Sequence, residues 1–349
     1  MDTIEIANQA IGNQHPCFII AEAGVNHNGR LDTALKLVDA AITAGANAVK
    51  FQTFKAEAVV TMVAPKAVYQ QQTTGVDESQ LAMIKRLQLT YEQFKEIKEY
   101  CDKKGIIFLS TPFDYDSVDL LYELGVSAFK IPSGEITNYP LLKYIACKGK
   151  PIILSTGMSY LGEVEQALQA IYHCGNPDVI LLHCVSNYPA DPADVNLRAM
   201  NTMATAFGVP VGYSDHTLGI EVSLAAVALG ACVIEKHFTL DCTMPGPDHH
   251  ASLEPTALTT LVMSIRKIEA ALGHGRKEPA IAEKNSKEVA RRSLVAACDI
   301  QGGTVLTEEH IAIKRPGTGL PPSMREYLIG RKARGIIFAD TMLTLELFE

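Results

Sequence analysis

From residue 17 onward, short apolar runs alternate with longer stretches whose apolar positions recur at helical spacing. The strand-like runs fall at 17–21, 48–51, 106–109, 128–131, 151–154, 179–182, 209–213 and 232–234, short and apolar as buried strands are. Helical periodicity occupies 31–44, 91–103, 117–124, 139–146, 161–173, 197–206 and 220–229, and 255–272 supplies an eighth helix after the last strand. Gly45, Gly105, Gly125, Gly208 and Gly230 follow helices, where left-handed C-terminal caps are expected. Eight βα units predict an α/β fold of the TIM (β/α)8 barrel type over residues 1–275. An open doubly wound sheet is the competing architecture, but no glycine-rich GxGxxG turn follows the first strand, and closure at eight units favours the barrel.

Two regions break the rhythm. Residues 55–90 are too long for an ordinary connection and carry the polar stretch Tyr69-Gln70-Gln71-Gln72-Thr73-Thr74, so a lid or a partner contact is expected. From Gly273 the texture changes to Gly-His-Gly-Arg-Lys-Glu-Pro and charged residues, and residues 276–290 read as a linker. Beyond them, 291–349 alternate short strands and turns, predicting a second, mostly β domain small enough to be marginal unless it docks on something.

Composition narrows the class. The 349 residues are 47% hydrophobic and 20% charged, ordinary for a globular enzyme. A formal charge of −8 without a Lys/Arg run speaks against nucleic-acid binding, so any anionic ligand must be held by a local pocket. No charged-then-apolar leader opens the chain and no apolar run reaches the roughly 18 residues that span a bilayer, which predicts a cytoplasmic protein with no membrane partner. The eight cysteines are scattered without a CxxC pair and read as thiols of a reducing compartment. Cys184 beside His183 is not read as a nucleophile pair, because neighbours in a strand face opposite ways.

In barrels the functional side chains stand at the C-terminal ends of the strands. Here those tips carry Glu22; Lys50 and Gln52; Thr111; Lys130, Ser133 and Glu135; Ser155; Ser186 and Tyr188; Ser214 and His216; and Glu235 and His237. Because strand side chains alternate, Ser214 with His216 and Glu235 with His237 are same-face pairs on adjacent strands, and two imidazoles can meet over one site. Lys50, Lys130, Thr111, Ser133 and Ser155 suit a phosphate and a carboxylate held together. His216 and His237 form a partial shell for a divalent ion, Mn²⁺ in preference to a closed zinc site. Asp248, in the loop after the eighth strand, can reach the same mouth.

These tips carry EAGVNHNG from Glu22, KFQTF from Lys50, STPFD from Ser110, KIPSGE from Lys130 and LSTGM from Leu154. GYSDHT from Gly212, EKHFTLD from Glu235 and GPDHHASLEP from Gly246 complete the series. In this order they resemble the sialic acid synthase family, meaning N-acetylneuraminate synthase and its legionaminate and pseudaminate relatives, over nearly the whole chain. Residues 291–349, with KRPGTG from Lys314, resemble the antifreeze-like (SAF, β-clip) domain of that family. The resemblance implies condensation of phosphoenolpyruvate with N-acetylmannosamine to give a nine-carbon 2-keto sugar acid and phosphate by C–O cleavage. A 2,4-diacetamido-trideoxyhexose, or another aldose as in 3-deoxy sugar acid synthases, is the alternative acceptor.

Position by position, the resemblance implies phosphoenolpyruvate contacts from Lys50, Thr111, Lys130, Ser133, Ser155, Ser186 and Ser214. It implies a metal (Mn²⁺, with Mg²⁺ or Co²⁺ possible) on His216 and His237, a catalytic Glu22, and an acceptor held by Gln52, Glu135, Tyr188 and Asp248. Arg315 is implied to reach the barrel of a partner subunit in a domain-swapped homodimer. Two positions depart from the pattern: Ser186 replaces an asparagine of some members, and Val76 and Asp77 stand where some place another.

Overall fold

The structure, a computed structural model, describes residues 3–12, 14–75 and 77–349; Val76 therefore lies outside the described residues. The chain divides into two units, Met1–Gly273 and His274–Glu349.

The first unit opens with a hairpin, β1 (Ile4–Ile6) and β2 (Gln9–Ile11), paired antiparallel. Its two-residue turn puts Ala7 and Asn8 at φ 49° and 63°, the left-handed pair that matches strand twist in a tight hairpin. Eight parallel strands follow: β3 (Phe18–Gly24), β4 (Ala48–Thr53), β5 (Ile107–Pro112), β6 (Phe129–Ile131), β7 (Ile152–Ser155), β8 (Val179–Cys184), β9 (Val211–Asp215) and β10 (Val233–His237). Their order is β5-β4-β3-β10-β9-β8-β7-β6, and β5 and β6 lie against each other without a strand ladder, closing the predicted barrel.

Helix α1 (Leu31–Ala44) follows β3, and the insertion after β4 forms three short helices, α2 (Ala56–Val59), α3 (Val68–Thr74) and α4 (Gln80–Leu87). The outer ring continues with α5 (Tyr91–Lys104), α6 (Tyr115–Glu123), α7 (Tyr139–Ala146), α8 (Leu161–Tyr172), α9 (Ala199–Phe207), α10 (Glu221–Ala228) and α11 (Pro255–Leu272). Gly45, Gly105 and Gly208 cap α1, α5 and α9 in the left-handed region. No helix among the described residues is long and apolar enough to cross a membrane.

The inward faces of the strands change character along their length. They begin apolar, with Phe18 and Ile20 on β3, Ala48 on β4, Leu109 on β5, Ile153 on β7 and Val233 on β10, and these pack with Ile4, Ile6 and Ile11 of the hairpin. The hairpin therefore plugs the N-terminal end of the barrel. The alternate residues Ile19, Ala21, Val49, Phe51, Phe108, Leu154, Leu181 and Ile234 join the larger core beneath the helices. Continued at the same alternation, the inward faces end on Glu22, Lys50, Thr111, Ser155 and Glu235 at the opposite end.

The second unit has its own core of Leu294, Ile300, Leu306, Leu328, Ile337, Leu343 and Phe348. It contains helix α12 (Lys284–Ala290), inside the stretch expected as a linker, and strands β11 (Ser293–Ala296) and β12 (Ile311–Lys314), paired antiparallel. Short bridges such as Ile300 with Ile337 complete a mostly β unit, with α13 (Arg325–Leu328) as its only further α-helix among the described residues.

Candidate active site

A cavity of about 380 Å³ opens at the C-terminal ends of the strands. Its wall contains Glu22, Lys50, Gln52, Thr111, Lys130, Ser133, Ser155, Ser186, Tyr188, Ser214, His216, His237 and Asp248. Two further residues were expected at the site. Glu135, on a 3-10 turn after β6, accepts a hydrogen bond from Asn138 at 2.7 Å. Arg315 belongs to the second unit, where it is exposed just after β12.

Register explains the electrostatics. On β3, Glu22 is level with Lys50 of β4 and His237 of β10, so its carboxylate lies between an ammonium and an imidazole. Lys50 Nζ is 2.8 Å from Glu22 Oε2 and 3.7 Å from Glu235 Oε2, and donates to Thr111 Oγ1 at 3.0 Å. Lys130 Nζ is 3.2 Å from Glu235 Oε1, which also accepts from Ser214 Oγ at 2.9 Å. Both lysines are buried, at 2% and 3% exposure, which excludes a solvated rim.

Two carboxylates thus neutralise two lysines in a water-poor pocket. Burial, reinforced by the neighbouring Glu235 charge, raises the Glu22 carboxyl against the pull of Lys50. For Glu235 burial also acts upward, but Lys130 and Lys50 together outweigh it and hold the carboxyl low. Burial lowers Lys130, whereas at Lys50 the two carboxylates overcome burial and raise it.

The serines are brought together by a close backbone approach. Gly157 donates its N–H to Ser133 Oγ at 2.9 Å, and a Cβ there would meet Ser186 Oγ at 2.3 Å and Ser133 Oγ at 2.8 Å. Ser133 also contacts Cys184 Sγ at 3.1 Å, while His183 turns outward to the Val195 carbonyl at 2.6 Å, as strand alternation requires. Ser155 Oγ is buried with no hydrogen-bond partner among the described residues.

The two histidines meet as the alternation predicted, their ring centroids 5.5 Å apart. His216 Nδ1 lies 2.6 Å from the Val185 carbonyl, which leaves Nε2 as the free nitrogen. His237 Nδ1 is buried without a hydrogen-bond partner among the described residues. Burial lowers His216 to about 4, and burial together with His216 lowers His237 well below its usual value, so both rings are neutral at pH 7. Neutral rings of this kind fit a divalent ion. No group of three or more His, Cys, Asp or Glu side chains suited to a metal occurs among the described residues.

Tyr188 lies over His216 with centroids 4.1 Å apart and meets His237 edge-on at 5.5 Å. Tyr69 from α3 stacks on Tyr188 at 5.1 Å, so the insertion reaches the mouth. Asp248 is buried beside these rings, and burial pushes its carboxyl up to about 6. Sequence reasoning read the insertion, with Tyr69, only as a lid or partner contact and did not single out Val59, Met83 and Ile84 of the cavity wall. Glu235 was within reach of it, two residues before His237 on the same face.

A profile of the NeuB family matches residues 37–277, and one of the SAF domain matches 291–349. The N,N'-diacetyllegionaminic acid synthase of Campylobacter jejuni is 53% identical over 90% of this chain and 95% of its own length. That of Legionella pneumophila is 48% identical over 97% of this chain and 96% of its own. The N-acetylneuraminate-9-phosphate synthase of Homo sapiens is 38% identical over 97% and 94%. Among solved structures, the N-acetylneuraminic acid synthetase of Leptospira borgpetersenii aligns with a TM-score of 0.72 at 40% identity, covering 82% of this chain and 95% of that one.

Proposed function

The chain belongs to the NeuB family and is a phosphoenolpyruvate-dependent, carbon–carbon bond-forming synthase of nonulosonic acids; from that premise we propose that its acceptor is 2,4-diacetamido-2,4,6-trideoxymannose and its product N,N'-diacetyllegionaminic acid. The observation that carries this choice is the identity of 53% and 48% with two N,N'-diacetyllegionaminic acid synthases, against 38% with the human N-acetylneuraminate-9-phosphate synthase. It moves the acceptor away from N-acetylmannosamine, the first expectation from sequence.

In this reading Lys50, Lys130, Thr111, Ser133, Ser155, Ser186 and Ser214 hold the phosphate and carboxylate of phosphoenolpyruvate. Fixing its methylene carbon beside the acceptor aldehyde supplies the orientation that a weak enol nucleophile lacks in water. That carbon bonds to the aldehyde carbon, water adds at C2, and phosphate departs with the bridging oxygen. Glu22, whose carboxyl is raised by burial, holds or takes a proton beside Lys50 and His237. Gln52, Tyr188 and Asp248 hold the sugar.

His216 and His237 are the residues that would hold a divalent ion, Mn²⁺ by preference, which when bound polarises the aldehyde as a Lewis acid. Arg315 completes the acceptor site from a second copy in a homodimer, and Glu135 contributes at its edge. The test is phosphate release with each acceptor, with and without prior chelation. A higher kcat/KM for the diacetamido sugar, lost on chelation and restored by Mn²⁺, is expected. Preference for N-acetylmannosamine would overturn the acceptor, full activity after exhaustive chelation the ion, and an active barrel cut near Glu283 the role of the second copy.

A further inference from the structure

One wall of the cavity has no part in the contacts assigned so far. Val59 of α2, Val60, and Met83, Ile84 and Leu87 of α4 line it, with Phe113 just after β5. Five of these six side chains belong to one apolar cluster, and Met83 and Leu87, 1% and 4% exposed, fasten α4 to the barrel. Val59, Val60 and Ile84 are only half-buried, and they line the open cavity. Apolar surface left facing an open cavity is unfavourable unless something apolar covers it.

Phosphoenolpyruvate does not suit this wall. Its phosphate and carboxylate are drawn to Lys50 and Lys130, which lie deeper, at the strand tips, whereas Phe113 comes two residues later in the chain than Thr111. The acceptor is the remaining reactant, and its candidates differ at the end remote from the aldehyde. N-acetylmannosamine presents hydroxyl groups at C4 and C6. A 2,4-diacetamido-2,4,6-trideoxyhexose presents an acetamido methyl at C4 and a methyl at C6.

We propose that the wall built by α2 and α4 is the subsite for the remote end of the acceptor and that Val59 and Ile84 select its methyl groups over hydroxyls. The inference rests on the acceptor reading above and adds the residues that enforce it. Each methyl set against the wall leaves water for an apolar surface, whereas a hydroxyl there finds no nitrogen or oxygen partner among these six side chains, only the weakly accepting Met83 sulfur that Thr74 already contacts at 3.5 Å. One such group in an apolar pocket discriminates by roughly 10- to 200-fold.

The test measures kcat/KM for both acceptors in the full-length enzyme and in the double variant Val59→Ser with Ile84→Ser, alongside KM for phosphoenolpyruvate and the urea midpoint. The ratio of the two acceptor kcat/KM values should fall by about tenfold in the variant, through the acceptor KM, with KM for phosphoenolpyruvate held within about twofold. Val59→Thr, nearly isosteric, keeps the question answerable if the double variant does not fold; its ratio should move the same way by roughly threefold. A wild-type enzyme that favours the diacetamido sugar, with ratios unmoved in folded variants, would overturn the wall alone. A wild-type enzyme that favours N-acetylmannosamine would overturn the acceptor reading and the wall with it.

Discussion

On the outer face of β9 and β10, Lys236 Nζ lies 2.9 Å from Asp215; on the inner face, one residue away along β10, Glu235 lies 3.2 Å from Lys130 and 3.7 Å from Lys50. Both systems are almost wholly buried. The outer one is closed. Asp215 also accepts from the Thr217 amide at 2.8 Å, Thr217 Oγ1 at 2.7 Å and Ser223 Oγ of α10 at 2.6 Å, and Lys236 donates to the Thr217 carbonyl at 2.5 Å.

The inner system is open by comparison. Two lysines are shared between Glu22 and Glu235, and nearby Ser155 Oγ and His237 Nδ1 have no hydrogen-bond partner among the described residues. A closed buried ion pair joins two strands and a helix. An open one keeps charge and hydrogen-bonding capacity for a ligand.

Breaking the outer pair should give the largest effect. Lys236→Ala leaves Asp215 buried and uncompensated, and its urea midpoint should report a loss of about 3–5 kcal/mol, with KM for phosphoenolpyruvate unchanged in the folded fraction. Lys50→Ala should do the reverse. Its KM for phosphoenolpyruvate should rise roughly 10- to 100-fold, with a smaller stability loss, because Glu22, already raised by burial, can take up a proton. Equal stability losses in the two variants would erase the distinction.

The smallest effects sharpen the contrast between two serines. Ser223→Ala removes a hydrogen bond to a charged group and should cost about 1.5–3 kcal/mol in denaturation. Ser155→Ala removes a hydroxyl that bonds nothing among the described residues, so the midpoint should stay put while KM for phosphoenolpyruvate rises several-fold. A stability loss at Ser155 matching that at Ser223 would place it with the structural set.

Much of this was legible along the chain. Helices 31–44, 139–146 and 255–272 were read to the residue, since amphipathic stretches with glycine or proline near their ends leave little freedom. The hairpin before the barrel was not, although Ile4 and Ile6 alternate with Glu5, because three-residue strands give too few periods to register. The insertion was seen as a lid or a partner contact, without its three helices. What holds α4 is Met83 and Leu87 packed on Val25 and Phe54, contacts that span up to 62 positions in sequence, from residue 25 to residue 87.

Alternation within a strand is a local property of the backbone, so sequence alone was enough to pair Glu235 with His237, Lys50 with Gln52 and Ser214 with His216, and to count the eight units that carry them. Which face of each strand turns to the barrel axis, and which charges meet across it, depend on sheet closure and register between strands far apart in the chain. That long-range register set Glu22 between Lys50 and His237, left Lys236 on the outer face with Asp215, and brought the apolar side of α2 and α4 to the mouth.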